Sequence, residues 1–392
     1  MKSKKTNIKI KHHKYNLYNK KKNKTKRVLT AIITIIAACG LGVLGYGLGK
    51  PIVNYFQNRE QYTSDPSSAW SPPSDSDISG NSANSDDPNV SSEEPNSTPV
   101  EVTDPKIYFL PENAAVSSAS LNSALAAAKE SGCDTVAVTL KDKKGNFLYK
   151  SDIEGIKDGD TTIGAMAARQ ICEAITAAGL TPAAKISTLM DSSSPRLIAG
   201  GYELASETGY WLDAAPAKGG KQWLSPFKSE TVKFIGDITA ELSVSGFKHI
   251  ICADTRFPAF YNSDINKYLS NLPLTDSAKR SAALWDVVSS AKEGCEKHGA
   301  VMWLQISGES ISAEKKDSTD AEITKSADKI KDERIIVSYT GVSGDAAEFA
   351  QQISAAANGA KVAVSVKASS SSAVDNARKV FANAGFDVFV ES

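Results

Sequence analysis

Carboxylates stand at two kinds of place in this sequence. Asp142, Asp254, Glu309 and Glu391 close β-branched apolar runs, and Asp191 and Asp213 lie in a long intervening segment. Two carboxyl groups facing one bond are the equipment of glycoside hydrolysis. One is held protonated as the acid, and the other acts as nucleophile or base. Their separation, about 5 Å or about 6.5–9.5 Å, decides between retention and inversion. Cations flank two of the acids, Lys141 before Asp142 and Arg256 two residues after Asp254. Trp211 and Trp223 in the long segment offer flat faces on which sugars stack. Plainer readings stand beside these. Lys141-Asp142 reads equally as a solvated strand-end turn, Asp254 with Arg256 as a structural ion pair, and the tryptophans as loop packing.

Other chemistries lack their residues. His249 and His298 are the only histidines after His13, so a multi-histidine metal site is not expected. No Gly-x-Gly-x-x-Gly follows the first strand, and no Gly-x-Ser-x-Gly occurs. Neither a metal nor another cofactor is therefore expected. Cys133, Cys172, Cys252 and Cys295 are scattered without a Cys-x-x-Cys pair and sit in or beside apolar elements. They read as free thiols.

The elements that must position these groups recur from Lys106 onward. An Ala-rich helical segment gives way to a Gly and then to a β-branched run. Gly132 precedes Thr135–Val138, Gly179 precedes Pro182–Ile186, and Gly246 precedes His249–Cys252. Gly299, Gly359 and Gly385 precede Val301–Leu304, Val362–Val366 and Val388–Val390. With Ile107–Leu110 and Ile335–Tyr339 these make eight strands separated by helices. Apolar strands alternating with helices indicate a parallel sheet, and eight units in this length indicate a (β/α)8 TIM-type barrel. A doubly wound open sheet is the runner-up. In a barrel the strand ends Asp142, Lys185, Asp254, Gln305, Tyr339, Lys367 and Glu391 fall near one rim, where active sites form.

Particular stretches carry a family resemblance. Cys252-Ala253-Asp254-Thr255-Arg256-Phe257-Pro258 resembles the Phe-Asp-Tyr-x-Arg-Phe-Pro strand end of a glycoside hydrolase family of (β/α)8 barrels. Lys141-Asp142 with Gly145 is similar to the family's Lys-Asp-x-x-Gly, and Lys185 stands where the family carries Arg. Trp223-Leu224-Ser225-Pro226 is similar to its Trp-(Val/Leu)-Asp-Pro. Two acids of the pattern are replaced, by Ala253 and Ser225, and Asp254 lies one residue beyond the family's position. The resemblance implies a glycosidase-like barrel with Asp254 and Asp142 as catalytic carboxyls. It implies Lys141, Lys185, Arg256 and Trp223 as substrate contacts, to which the strand-end positions add Gln305, Tyr339 and Glu391 and the long loop adds Trp211. The alternative is a barrel that only binds a glycan or a protein.

Upstream of the barrel the charges segregate. Residues 1–27 hold twelve Lys or Arg and no acid, and residues 28–49 hold no charge at all. At 1.5 Å per residue the uncharged stretch reaches about 33 Å, enough for a bilayer core. Residues 1–27 read as a basic cytoplasmic arm and 28–50 as a single transmembrane helix, with the remainder outside. Residues 51–105 are rich in Ser, Pro and Asp, too poor in apolar side chains to fold, and read as a disordered linker to a barrel over 106–392. The expected partners are a polysaccharide or cell-wall glycan and the membrane, and no nucleic acid.

Overall fold

The structure is a computed structural model. It describes residues 106–392 apart from 158, 309–322, 325–326, 342–344, 358, 368–370 and 392. The arm, the span, the linker and Glu309 lie outside the described residues. Among the described residues no helix is long and apolar enough to cross a membrane.

Eight strands close into one barrel in sequence order, every neighbour parallel. They are β1 (Ile107–Phe109), β2 (Thr135–Lys141), β3 (Thr181–Ser187), β4 (His249–Ala253), β5 (Val301–Ser307), β6 (Arg334–Tyr339), β7 (Lys361–Val366) and β8 (Asp387–Glu391). Closure rests on β1 and β8, where Tyr108 pairs with Val390 and Phe109 with Glu391. The open-sheet alternative is thereby excluded. The longer helices are α1 (Ser118–Glu130), α2 (Ala168–Ala177), α3 (Ser229–Val244), α4 (Ser277–Glu296), α5 (Ala346–Ala357) and α6 (Ser371–Asn383).

Strand alternation divides the apolar residues into two cores. Val136, Val138 and Leu140 of β2 face outward and pack with Leu121 and Leu125 of α1 and Ile171 and Ile175 of α2. Each such side chain contributes about 1.5–3 kcal/mol by leaving water. Inside the barrel Ala137, Ala183 and Ala363 make room for Phe109, Trp303 and Phe389. Trp303 meets Phe389 edge-on at 5.7 Å. The helix-ending glycines have the expected conformation: Gly179, between α2 and β3, has φ 79°. Above the aromatic layer the inward positions turn polar, and that change creates the mouth.

Candidate functional site

The mouth opens at the C-terminal ends of the strands. It comprises a cavity of about 340 Å³ and a second of about 190 Å³. Lys143, Lys185, Ala253, Asp254, Lys367 and Glu391 line both, so the two are halves of one opening.

Asp254 enters through a break in strand geometry. β4 ends at Ala253, and Asp254 takes a left-handed conformation with φ 56°. In a regular strand its side chain would face the helices, because Ala253 already faces inward. The left-handed residue returns the carboxylate to the opening. The end of β3 braces this turn, with Thr188 N and Oγ1 both donating to Ala253 O, at 2.9 and 3.0 Å. Thr188 Oγ1 also lies 2.9 Å from Thr255 Oγ1. Asp254 Oδ2 accepts from Ser187 Oγ at 3.0 Å, and Oδ1 lies 3.6 Å from Lys143 Nζ. The Ser187 hydroxyl is also 2.9 Å from Met190 O, and its single proton serves one acceptor at a time.

Across the mouth, four successive strands supply a polar floor. Glu391 Oε1 accepts from Ser365 Oγ at 2.7 Å and from Gln305 Nε2 at 3.1 Å. Gln305 Nε2 also donates to Ser338 Oγ at 2.8 Å. Gln305 Oε1 is buried without a hydrogen-bond partner among the described residues. Lys185 rises from β3 with its ammonium 5.1 Å from the centre of the Phe109 ring. Burial pulls the Lys185 pKa below the ordinary lysine value, against the opposing pull of Glu391 and Asp254.

The structure thus brings Asp254, Lys185, Arg256, Gln305 and Glu391 to one opening. Asp142 lines the smaller cavity, but its oxygens are occupied by the loop. Oδ1 accepts from Lys144 N and Asn146 N, both at 2.8 Å, and Oδ2 accepts from Asn146 Nδ2 at 2.8 Å. Lys141 is wholly buried and ion-paired to Asp191.

Three of the expected contacts sit away from the two cavities. Tyr339 packs on Phe349 of α5 and Phe381 of α6, because Ser338 and Thr340 on either side of it take the inward positions. Trp211 packs on Tyr202 and Phe260 and donates Nε1–H to Asp264 Oδ2 at 3.1 Å. Trp223 donates to Asp213 Oδ2 at 2.9 Å and holds the Arg256 guanidinium 5.2 Å from its ring centre. Neither indole lines the mouth. Ser187, Ser338, Ser365 and Lys143 were not singled out in the sequence. A period-two reading of β7, through Ala363, Ser365 and Lys367, would have found one of them. Among the described residues no group of His, Cys, Asp and Glu could hold a metal ion, and the four cysteines are free.

A family profile described as "Putative glycosyl hydrolase domain" matches residues 107–338, more than half of the 392-residue chain. The chain belongs to this DUF4015 family. The described barrel is therefore a glycosyl hydrolase-like domain. The DUF4015 chain is similar in fold to the PgaB (BpsB) glycoside hydrolase domain from Bordetella bronchiseptica. That similarity has a TM-score of 0.50 and 12% identity, over 74% of this chain and 93% of that one. It is also similar to the catalytic domain of beta-amylase from Paenibacillus polymyxa, with TM-score 0.49 and 13% identity, over 73% and 91%. No curated protein matches the chain.

Proposed function

We propose that the DUF4015 barrel hydrolyses glycosidic bonds in a polysaccharide outside the membrane, to which residues 28–49 tether it. The observation that carries this reading is the left-handed turn at Asp254, which places a carboxylate opposite Glu391 in one opening. Asp254 is the nucleophile or base, since Lys143 and Ser187 already attend its oxygens. Glu391 is the carboxyl that remains for the acid, and since its hydrogen bonds from Ser365 and Gln305 both fall on Oε1, Oε2 is left for the leaving-group oxygen. Asp142 passes from catalysis to holding the β2 loop. Lys185, Gln305 and Arg256 bind the sugar, with Trp223 supporting Arg256. Lys141, Tyr339 and Trp211 act as structural supports.

Family membership and the glycoside hydrolase name carried by PgaB support the reaction class. The basic arm and the uncharged stretch support the location. A second reading, binding without turnover, is favoured by one observation. Ala253, the last inward residue of β4, brings a methyl group to the opening.

The test is to incubate the purified full chain with envelope and extracellular polysaccharides and measure new reducing ends. Release that disappears in Asp254→Asn and Glu391→Gln supports hydrolysis. Binding without release selects the second reading, and neither binding nor release overturns both. Protease added to intact cells tests the location: the barrel should be digested and the arm spared.

A further inference from the structure

Among the described residues the smaller cavity adds Lys141, Glu112 and Asp142, and the larger sets Lys143, Lys185, Arg256 and Lys367 against two carboxylates, Asp254 and Glu391. Those carboxylates are already served, Asp254 by Ser187 and Lys143 and Glu391 by Ser365 and Gln305. Lys185 and Lys367 are not. Among the described residues neither ammonium has a carboxylate within 4.0 Å or a hydrogen-bond acceptor in reach. Lys185 is the more telling of the two, because Lys367 is exposed to water whereas Lys185 is partly buried over the face of Phe109, with Glu391 and Asp254 acting only from beyond ion-pair distance. An ammonium presents three donors, and withdrawing it from water without an acceptor is costly. Its lowered pKa, caused first by burial, reports the same tension. A fold that places this cation on the floor of an open cavity leaves room for an anion to relieve it.

A second feature points to the rest of the ligand. Gln305 lines the same opening and is 7% exposed, and its Oε1 is a buried acceptor without a partner among the described residues. It calls for a donor, which an anion alone lacks and a sugar hydroxyl supplies.

We propose that the mouth takes an anionic saccharide, one bearing a carboxylate or phosphate substituent, with the negative group on Lys185 and Lys367 and a hydroxyl on Gln305. This rests on the glycan reading above and narrows it to a substrate class. The carboxylate and phosphate sources share one chemistry, and separate arms of the experiment distinguish them.

The experiment is competitive acetylation of the full chain with acetic anhydride, quantified lysine by lysine by peptide mass spectrometry. Glucuronate, glucose 1-phosphate, glucose and glucosamine are compared at equal concentration and ionic strength. Glucuronate, glucose 1-phosphate or both should slow labelling of Lys185 and Lys367 several-fold. Glucose and glucosamine should leave it unchanged, as should every probe at the exposed controls Lys157 and Lys233. Protection by glucuronate alone assigns a carboxylate, and by the phosphate alone a phosphoryl group. In Lys185→Gln the protection of Lys367 should disappear, and its persistence would remove Lys185 as the seat. Equal protection by glucose, or none by either anion, overturns the inference even if the variant does not fold. Protection in a chain that hydrolyses nothing leaves this inference standing and removes hydrolysis. Hydrolysis of a neutral glycan without anion protection does the reverse.

Discussion

Lys141 and Asp191 form an ion pair at 2.8 Å with neither side chain reaching solvent. Nζ approaches Oδ2 without an aligned hydrogen bond to it, while donating to Ser187 O at 2.6 Å. Asp191 Oδ1 accepts from Ser193 N and Ser194 N at 2.9 and 2.8 Å. The pair thus ties the end of β2 to the loop after β3, beside Ser187. A bulge between Thr139 and Lys141 sets Lys141 against Ile186 and prepares this contact.

Removing one partner strands the other as a buried charge. Lys141→Met and Asp191→Leu should each lower unfolding free energy by about 3–5 kcal/mol, while the double variant recovers most of the loss. Urea unfolding of all four proteins measures the coupling. A double variant as unstable as the sum of the singles would show that the pair does not act as a unit.

Gly145 is the third part of the same device. Its φ is 87°, and a Cβ there would meet the Asp191 carboxylate at less than any real contact distance. Gly145→Ala should therefore cost at least about 1–2 kcal/mol in backbone strain alone, with further loss from displacing Asp191. Thermal unfolding reads it, and unchanged stability would mean that the loop relaxes freely.

The hydrolytic reading separates the acids by role. Asp254→Asn and Glu391→Gln should each reduce turnover about 10²- to 10⁴-fold with little change in melting temperature. Asp142→Asn should do the opposite, costing about 1 kcal/mol of stability for the lost Asn146 contact and leaving turnover within a few-fold. The three variants assayed together decide whether Asp142 belongs to the chemistry.

His249 gives the acid limb of stability. It lies inside the barrel at the start of β4, and its Nδ1 accepts from Trp303 Nε1 at 3.3 Å. Burial first, and then Arg334, lower its pKa from 6.5 to about 4. The folded state thus holds a neutral imidazole where the unfolded chain binds a proton. Its contribution is complete above pH 6.5 and is lost as pH falls from 6.5 through about 4, by on the order of 3 kcal/mol. His249→Gln keeps an acceptor for Trp303 and should flatten that part of the stability curve. Parallel curves for the two proteins would disprove the assignment.

The eight strands were legible because a strand covered by helices outside and filled by side chains inside is apolar on both faces, and such runs stand out. Strand ends were legible too, so Lys185, Gln305 and Glu391 were placed at the rim. Facing was harder. Tyr339 sits as near its strand end as Gln305 does, but its parity is opposite. The role of Lys-Asp-x-x-Gly was hidden because Asp191, the partner of Lys141, lies far along the chain. The tryptophans read equally as sugar platforms and as loop packing because a loop sequence does not reveal that Asp213 and Asp264 engage their N–H groups from within the fold.

The left-handed residue at 254 has one more consequence. Asp and Asn tolerate that region of backbone space, whereas most L-residues do so at a cost of about 1–2 kcal/mol. Alanine at 254 would therefore confound two losses, the carboxyl group and the torsion that aims it, since the chain could relax by running β4 one residue further. The position of this acid is encoded in a dihedral angle rather than in a column of aligned sequences. Anyone restoring, relocating or retuning a carboxylate in this mouth has to design the backbone at 254 before choosing the side chain.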